Sequence, residues 1–401
     1  MDHNILLIST IYPLPEGNRG TSVCHFFARE WVRSGYNVKV IHIQAVFPLF
    51  FYWLARLARN IIAAKTGAVV YTHRDTQDLH YEMDGVSIER IPVYKPLPHG
   101  AYPKRSICKT IEKIISCNQK NNFEPDIIIG HFPNPQIELL SLLKRSYSSA
   151  KTCIVMHGDL DIMRKVYGER LPKLMADIDV WGFRSKTVKE EFEALVGVVH
   201  QSFICYSGIP ESYIISKNER KFSDNIHDFI FVGDMIERKY PVEVLEALCL
   251  AYPENDFHLT FVGDGQLISD IGHKVEDRQL YKQVSIIGRI PREKILDEYD
   301  KAECMVMISR DEAYGLVYLE AMSRGCIVIA SKREGFDGVI VDGENGFLCE
   351  AGSVDHLARL IKRINNLSAI QRQKISENAV LTAKRLTDHK VAEHYINSII
   401  G

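Results

Sequence analysis

Two glutamates, eight positions apart, are the residues of this chain best spaced to do chemistry. Glu312 and Glu320 lie in Asp311-Glu312-Ala313-Tyr314-Gly315-Leu316-Val317-Tyr318-Leu319-Glu320-Ala321-Met322-Ser323-Arg324-Gly325, and the apolar run Cys326-Ile327-Val328-Ile329-Ala330 follows at once. This layout predicts a helix running into a buried parallel strand, with one carboxylate at the helix mouth and one inside it. At about 1.5 Å per residue the pair spans roughly 12 Å of helix axis. That length suits a nucleotide-sugar, with sugar hydroxyls at one end and ribose hydroxyls at the other. The diphosphate between them would lie on the free N–H groups of the helix start, where partial positive charge attracts anions. An ionised carboxylate only accepts hydrogen bonds, so each Glu suits a vicinal diol and not a phosphate. The spacing alone is equally consistent with two surface glutamates on a helix.

The elements that must position this pair are legible along the chain. Its 401 residues fit two domains of about 200 residues each. Short apolar strands alternate with helices: Ile5–Ser9, Val38–Ile43, Asp126–Gly130 and Thr152–Met156, then a restart at Phe229–Gly233, Leu259–Gly263, Val284–Gly288, Cys304–Ile308 and Ile327–Ala330. Such alternation indicates a doubly wound parallel α/β sheet, here twice over. The polar stretch 206–227 reads as an interdomain linker, with a hinge near Ser207-Gly208-Ile209. Composition is that of a globular protein, 46% hydrophobic and 25% charged. The net charge of −2 argues against nucleic-acid binding by bulk electrostatics. The nine cysteines include no Cys-x-x-Cys pair and mostly sit in apolar stretches. They read as reduced core residues, not as a disulfide frame or a zinc site. No signal peptide is expected, because Met1-Asp2-His3-Asn4 leads straight into a strand.

Glu-x-x-Gly-Leu-x-x-x-Glu-Ala-Met-x-x-Gly resembles the Glu-x7-Glu signature of retaining GT-B-fold glycosyltransferases of family 4, and the resemblance runs from Asn4 to about Glu350. It implies two facing Rossmann-like domains with a cleft between them. The first, acceptor-side domain would span 1–205 and be completed by a C-terminal helix at about 386–401. The second, nucleotide-sugar-binding domain would span 228–385. The resemblance also assigns roles. Lys239 falls on a position that contacts the donor diphosphate, beside Gly233, while the family's Arg position holds Asp234, so Arg238 is expected to supply the second cation. A pair of cations is unfavourable at a helix N-terminus, which points to an anionic ligand there. Glu312 would hold the donor sugar's hydroxyls, the backbone of Gly315, Leu316 and Val317 the diphosphate, and Glu320 the ribose. Backbone groups at Arg289 and Ile290 would read the nucleobase.

His157 ends the strand after Met156. A lone histidine at a strand end is more often structural, but the C-terminal edge of a parallel strand is where ligands bind. The resemblance places it near donor sugar and acceptor. His131 ends another strand in the same way. The loop Pro15–Thr21 matches the family's glycine-containing loop, with Gly20 approaching diphosphate or acceptor. Asp159-Leu160-Asp161 and Asp177-Ile178-Asp179 spell Asp-x-Asp by chance, so no metal is expected, and no cofactor.

One segment stands apart. Gln44–Lys65 holds Phe47, Phe50, Phe51, Tyr52 and Trp53, three basic residues and no acidic one. It reads as an amphipathic helix over about 46–65 lying on an anionic membrane surface; the alternatives are packing on the first sheet or a dimer contact. The expected function is transfer of a hexose from a UDP-linked donor to a lipid-linked oligosaccharide in bacterial surface-polysaccharide synthesis. The expected place is the cytoplasm, peripheral on the inner face of the cell membrane. A soluble acceptor, or a weakly catalytic subunit that binds an active transferase, are the alternatives.

Overall fold

A computed structural model describes residues 3–15, 22–66, 72–158, 160–217, 220–222 and 225–401, the side chains of 58–66 excepted. Gly20 and Asp159 fall outside the described residues. The chain divides into two compact units.

The first unit is built on an eight-stranded sheet. Its strands are β1 (Asn4–Ser9), β2 (Asn37–Val46), β3 (Leu79–Met83), β4 (Val86–Tyr94), β5 (Ile127–His131), β6 (Lys151–Met156), β7 (Val180–Phe183) and β8 (Ser202–Ile204), in the order β3-β4-β2-β1-β5-β6-β7-β8. All neighbours are parallel except β3 on β4. Ile5, Leu6, Leu7 and Ile8 are fully buried, because helices cover both faces of a parallel sheet. Burying each such side chain contributes roughly 1.5–3 kcal/mol. The edge hairpin turns at Asp84 (φ 50°) and Gly85 (φ 77°). Two successive positive φ values match the strand twist, and Asp-Gly is the usual pair for them.

The second unit carries a six-stranded parallel sheet. Its strands are β9 (Asp228–Val232), β10 (His258–Val262), β11 (Val284–Gly288), β12 (Cys304–Val306), β13 (Ile327–Ser331) and β14 (Phe347–Cys349), in the order β11-β10-β9-β12-β13-β14. Each sheet therefore has one point where the strand order reverses: between β1 and β5 in the first, and between β9 and β12 in the second. Ligands of open α/β sheets bind outside the carboxyl ends of the strands at such points.

The stretch 206–227, read as a linker, belongs to the second unit. Phe222 and Ile226 are buried in that unit's core. Arg220 donates to the carbonyl oxygens of Tyr299 (2.9 Å) and Arg324 (3.1 Å). The segment is polar because its charges satisfy loop carbonyls, not because it is free in solvent. Beside it, Asp388 N donates to Ile209 O (2.8 Å) and Ile209 N to Leu386 O (3.2 Å). The outgoing and returning chain segments are thus paired side by side. Residues 391–401 then pack with the first unit. There Trp31 Nε1 donates to Ala392 O (2.9 Å), and Tyr395 sits against Phe27, Trp31 and Phe203.

The helix Leu49–Thr66 is present. Among its described side chains, Tyr52 and Ala55 are the buried ones, 6% and 9% exposed. Leu49, Phe50, Trp53, Leu54 and Leu57 remain exposed. They recur at i, i+1, i+4, i+5 and i+8, which is one face of a helix. Among the described residues this apolar face does not pack on the first sheet.

Candidate active site

The helix after Glu312 starts later than the sequence suggested, at Leu316. Gly315 is its N-cap, with φ 84°. A Cβ there would lie 2.4 Å from the Tyr318 ring, so only glycine allows the chain to turn in at this point. Glu312 consequently lies in the loop ahead of the helix. The estimate of helix axis between the two carboxylates does not apply, because half of the interval is not helical. Glu312 is held there by its own backbone: its N–H donates to Glu334 Oε2 (2.8 Å). Burial raises the pKa of Glu334, against the pull of the backbone N–H groups of Glu312 and Asp311.

The loop after β9 delivers two cations to Glu312. Glu312 Oε2 is 3.5 Å from Lys239 Nζ and 3.7 Å from Arg238 Nη1. These are ion-pair distances, and the oxygen is buried with no hydrogen bond. A buried carboxylate oxygen without a donor is costly, so this one is an acceptor in waiting. Lys239 lies across Gly233, its Nζ 3.1 Å from where a Cβ would be. The loop itself is braced by the next one: a Cβ on Gly263 would fall 1.9 Å from Gly233 O. The Gly-x-Gly turn after β10 is thus explained by backbone-on-backbone packing. Arg238 O accepts from Arg310 N (2.7 Å), which ties the β9 loop to the loop after β12. Both loops flank the point of strand reversal.

Asp234, at the family's Arg position, forms an ion pair with Arg289 (2.8 Å). Arg289 is exposed and therefore presents a side chain, beyond the backbone role expected of it. Ile290 packs part-buried on the core of the unit. Glu320 is inside the helix and only 4% exposed. Its Oε1 accepts from Arg292 Nε (2.6 Å), and Arg292 lies over the Tyr213 ring. Burial raises the Glu320 pKa while Arg292 opposes it. Val317 O accepts from Tyr299 OH (3.1 Å). So the structure gathers Gly233, Arg238, Lys239 and Glu312 at one place, pairs Arg289 with Asp234, and pairs Glu320 with a residue the sequence reading overlooked. The signal for Arg292 was available: it is a cation in the first turn of the helix Arg292–Lys301, where a positive charge is unfavourable without a partner.

In the first unit, His157 is half-buried at the end of β6. Its Nε2 is hydrogen-bonded to His131 Nδ1 (2.9 Å), and His131 Nε2 to Tyr395 OH (3.1 Å). The Phe132 ring stacks on His157 at 4.0 Å. Burial first, then the neighbouring His131 and Arg184, push the His157 pKa down. Burial and Arg184 bring His131 down to about 3. Tyr395 was not foreseen, since it reaches this chain of hydrogen bonds from the C-terminal helix Asp388–Ile400.

A pH dependence follows. His131 and, at about 4, His42 titrate well below the usual 6.5 in the folded chain. The unfolded chain binds these protons first, so the folded form is favoured above about pH 6.5 and loses stability as pH falls towards 3–4. Urea unfolding between pH 7 and 4 should show that loss, and His131→Gln should flatten it. An unchanged slope would remove these histidines from the account.

Residues 214–381 match the family described as Glycosyl transferases group 1. The chain is 24% identical over 269 residues to an uncharacterized glycosyltransferase of Methanocaldococcus jannaschii, covering 66% of this chain and 72% of that one. It is 25% identical over 363 residues to the amylovoran biosynthesis glycosyltransferase AmsK of Erwinia amylovora, covering 86% of each. Among solved structures it is similar to Anabaena Alr3699/HepE in complex with UDP, with a TM-score of 0.67, 15% identity and 99% of both chains covered. That likeness speaks for the fold. The resemblance to group 1 glycosyltransferases therefore holds over residues 214–381, the stretch that contains Lys239, Glu312 and Glu320, and the fold of the chain is of the GT-B type.

Proposed function

We propose that the chain is a retaining transferase that moves a hexose from a UDP-linked donor to a lipid-linked oligosaccharide in bacterial surface-polysaccharide synthesis, without a metal. The observation that carries the reading is the Lys239–Glu312–Arg238 cluster at the end of β9. On donor binding, Lys239 and Arg238 exchange the Glu312 carboxylate for the diphosphate, whose oxygens match ammonium and guanidinium donors. Glu312 Oε2, which has no hydrogen bond in this structure, is then free to accept from the sugar's hydroxyls. The N–H groups of Leu316 and Val317, at a helix start, add a further anion-binding surface. As the bond from the anomeric carbon to phosphate breaks, charge grows on the leaving diphosphate and these groups stabilise it. The acceptor hydroxyl attacks from the same face and its proton passes to the departing phosphate oxygen, so configuration is retained with no protein nucleophile. Glu320, fixed by Arg292, would serve the ribose. UDP is suggested by the complex of the Anabaena protein, and the polysaccharide role by the relative named for amylovoran biosynthesis.

The lipid acceptor rests on the helix Leu49–Thr66. Its exposed apolar face, beside Arg56 and with no acidic residue from 44 to 65, fits an anionic lipid surface. No helix among the described residues is long and apolar enough to cross a membrane, so the contact would be interfacial. Co-sedimentation with vesicles containing phosphatidylglycerol tests this. The bound fraction should fall several-fold with Trp53→Glu and with about 0.5 M salt, which shortens the reach of charges to a few ångströms. Binding indifferent to both would reject the membrane and favour a soluble acceptor.

A further inference from the structure

Glu312 stands on a loop that the chain does not adopt by its own preference. Asp311, just before it, has φ 57°, a left-handed backbone that is uncommon outside glycine and persists where surrounding structure imposes it. The element that imposes it is the loop after β13. Glu312 N donates to Glu334 Oε2 (2.8 Å), and Gly335 N donates back to Glu312 O (2.8 Å). The N–H of Asp311 is bonded to the same Glu334 carboxylate. Two successive N–H groups converging on one anion form a small backbone nest, and Glu334 fills it. A Cβ on Gly335 would fall 2.3 Å from the Ala313 carbonyl carbon, so the two loops meet backbone on backbone. The far side of the clasp is braced in turn: Arg333 has φ 58°, and its N–H donates to Asp337 Oδ2 (2.6 Å).

A carboxylate is a costly choice for this place. Glu334 is half-buried. Burial, with the charges of Asp311 and Glu312, raises its pKa against the pull of the two N–H groups. A neutral acceptor would meet the same N–H groups with less repulsion. What the charge adds is firmness, since a hydrogen bond to an ionised acceptor is shorter and roughly twice as strong as a neutral one. That firmness acts on the backbone of the residue whose side chain meets Lys239 and Arg238 at 3.5 and 3.7 Å.

We propose that Glu334 is a positioning residue for transfer, whose ionised carboxylate clamps the Asp311–Glu312 backbone so that Glu312 Oε2 stands where the donor sugar's hydroxyls arrive. The proposal rests on the transferase reading above and adds to it a residue that touches neither sugar nor phosphate. Glu334 follows β13, whereas Lys239 follows β9 and Glu320 lies inside the helix Leu316–Ser323. Its removal therefore leaves the groups assigned to diphosphate and ribose in place, and releases the one assigned to the sugar. A displacement of about 1 Å at such a group costs on the order of 100-fold in rate.

The test compares the full unmodified chain with Glu334→Ala, Glu334→Gln, Glu312→Ala and the double variant Glu334→Ala with Glu312→Ala. Titration calorimetry reads UDP affinity, and transfer of labelled hexose from UDP-hexose gives kcat and KM. UDP carries the diphosphate and the ribose but no sugar, so Glu334→Ala should bind it as tightly as the parent does. Its kcat should fall by about 100-fold, and that of Glu334→Gln, which keeps one acceptor oxygen, by about tenfold. In the Glu312→Ala background the Glu334 change should cost almost nothing further, because it acts through Glu312. A Glu334→Ala chain that keeps kcat overturns the proposal, and so do losses that multiply in the double variant. Weakened UDP binding in Glu334→Ala overturns it as well, by making Glu334 a general support of the unit. Where Glu334→Ala does not fold, Glu334→Gln decides alone: a kcat equal to that of the parent overturns the proposal. Absence of transfer by the unmodified chain, or a Glu312→Ala variant as active as its parent, removes the donor reading itself, and this inference with it.

Discussion

Lys239→Ala should lower kcat for sugar transfer by about 10²–10³-fold, the cost of removing one preorganised donor from a developing oxyanion. Lys239 is placed for that work by three features. Its Nζ rests across Gly233. Its side chain is only 13% exposed, so its charge acts through little water. Its partner in this structure, Glu312 Oε2 at 3.5 Å, forms no hydrogen bond that donor phosphate would have to break. Lys239→Arg should recover part of the rate, because charge is kept while the point-like ammonium is lost. The assay is transfer of labelled hexose, with the melting temperature of each variant recorded. A Lys239→Ala variant that folds and keeps kcat would show that the β9 loop does not carry the leaving group.

The second large effect is on stability. Arg292→Met should destabilise the second unit by about 3 kcal/mol, the usual cost of leaving a buried charge without its counter-ion. Glu320 is 4% exposed, and its Oε1 accepts from Arg292 Nε at 2.6 Å, with Nη2 at ion-pair distance from the same oxygen. Burial already raises its pKa, and Arg292 is what opposes the rise. Without the guanidinium that pKa rises further. A carboxyl whose folded pKa lies above the unfolded value costs stability at high pH and none once protonated in both states. The loss in Arg292→Met should therefore shrink as pH falls towards 5. The double variant Arg292→Met with Glu320→Gln should recover most of it, which a double-mutant cycle in urea would show. Strictly additive single losses would mean that the pair is not coupled.

Much of this architecture could be read in advance, for a physical reason. Strands such as Ile5–Ile8 and Ile327–Ala330 are covered on both faces, so they read as short, continuous apolar runs rich in β-branched residues. Among the strands left unread, β8 and β14 have three residues each and β3 alternates at the rim, while β4, nine residues long and interior, mixes buried and half-buried positions instead of forming an apolar run. For β3 the cue existed in Asp84-Gly85, an Asp-Gly between two alternating segments. The stretch 206–227 misled because polarity marks both a solvated linker and a segment whose charges bond to carbonyl oxygens; Arg220 is the second kind.

The site divides in the same way. Glu312 lies more than seventy positions beyond Arg238 and Lys239, yet the fold joins them because both loops leave adjacent strands, β9 and β12. A motif resemblance could anticipate that juxtaposition, since it encodes the topology. It could not anticipate Arg289 on Asp234, which is a departure specific to this chain, or Arg292 under Glu320. Nor could it show that His157 is linked through His131 to Tyr395, because that contact is made by a helix returning from the far end of the sequence.

Thermal shift of the full chain against a panel of nucleotide-sugars, without added metal, tests the central claim most directly. Lys239→Ala and Glu320→Ala are run alongside. The account predicts that one donor raises the melting temperature of the unmodified chain and that both substitutions abolish the rise. No stabilisation by any donor, or a rise that survives both substitutions, would contradict it.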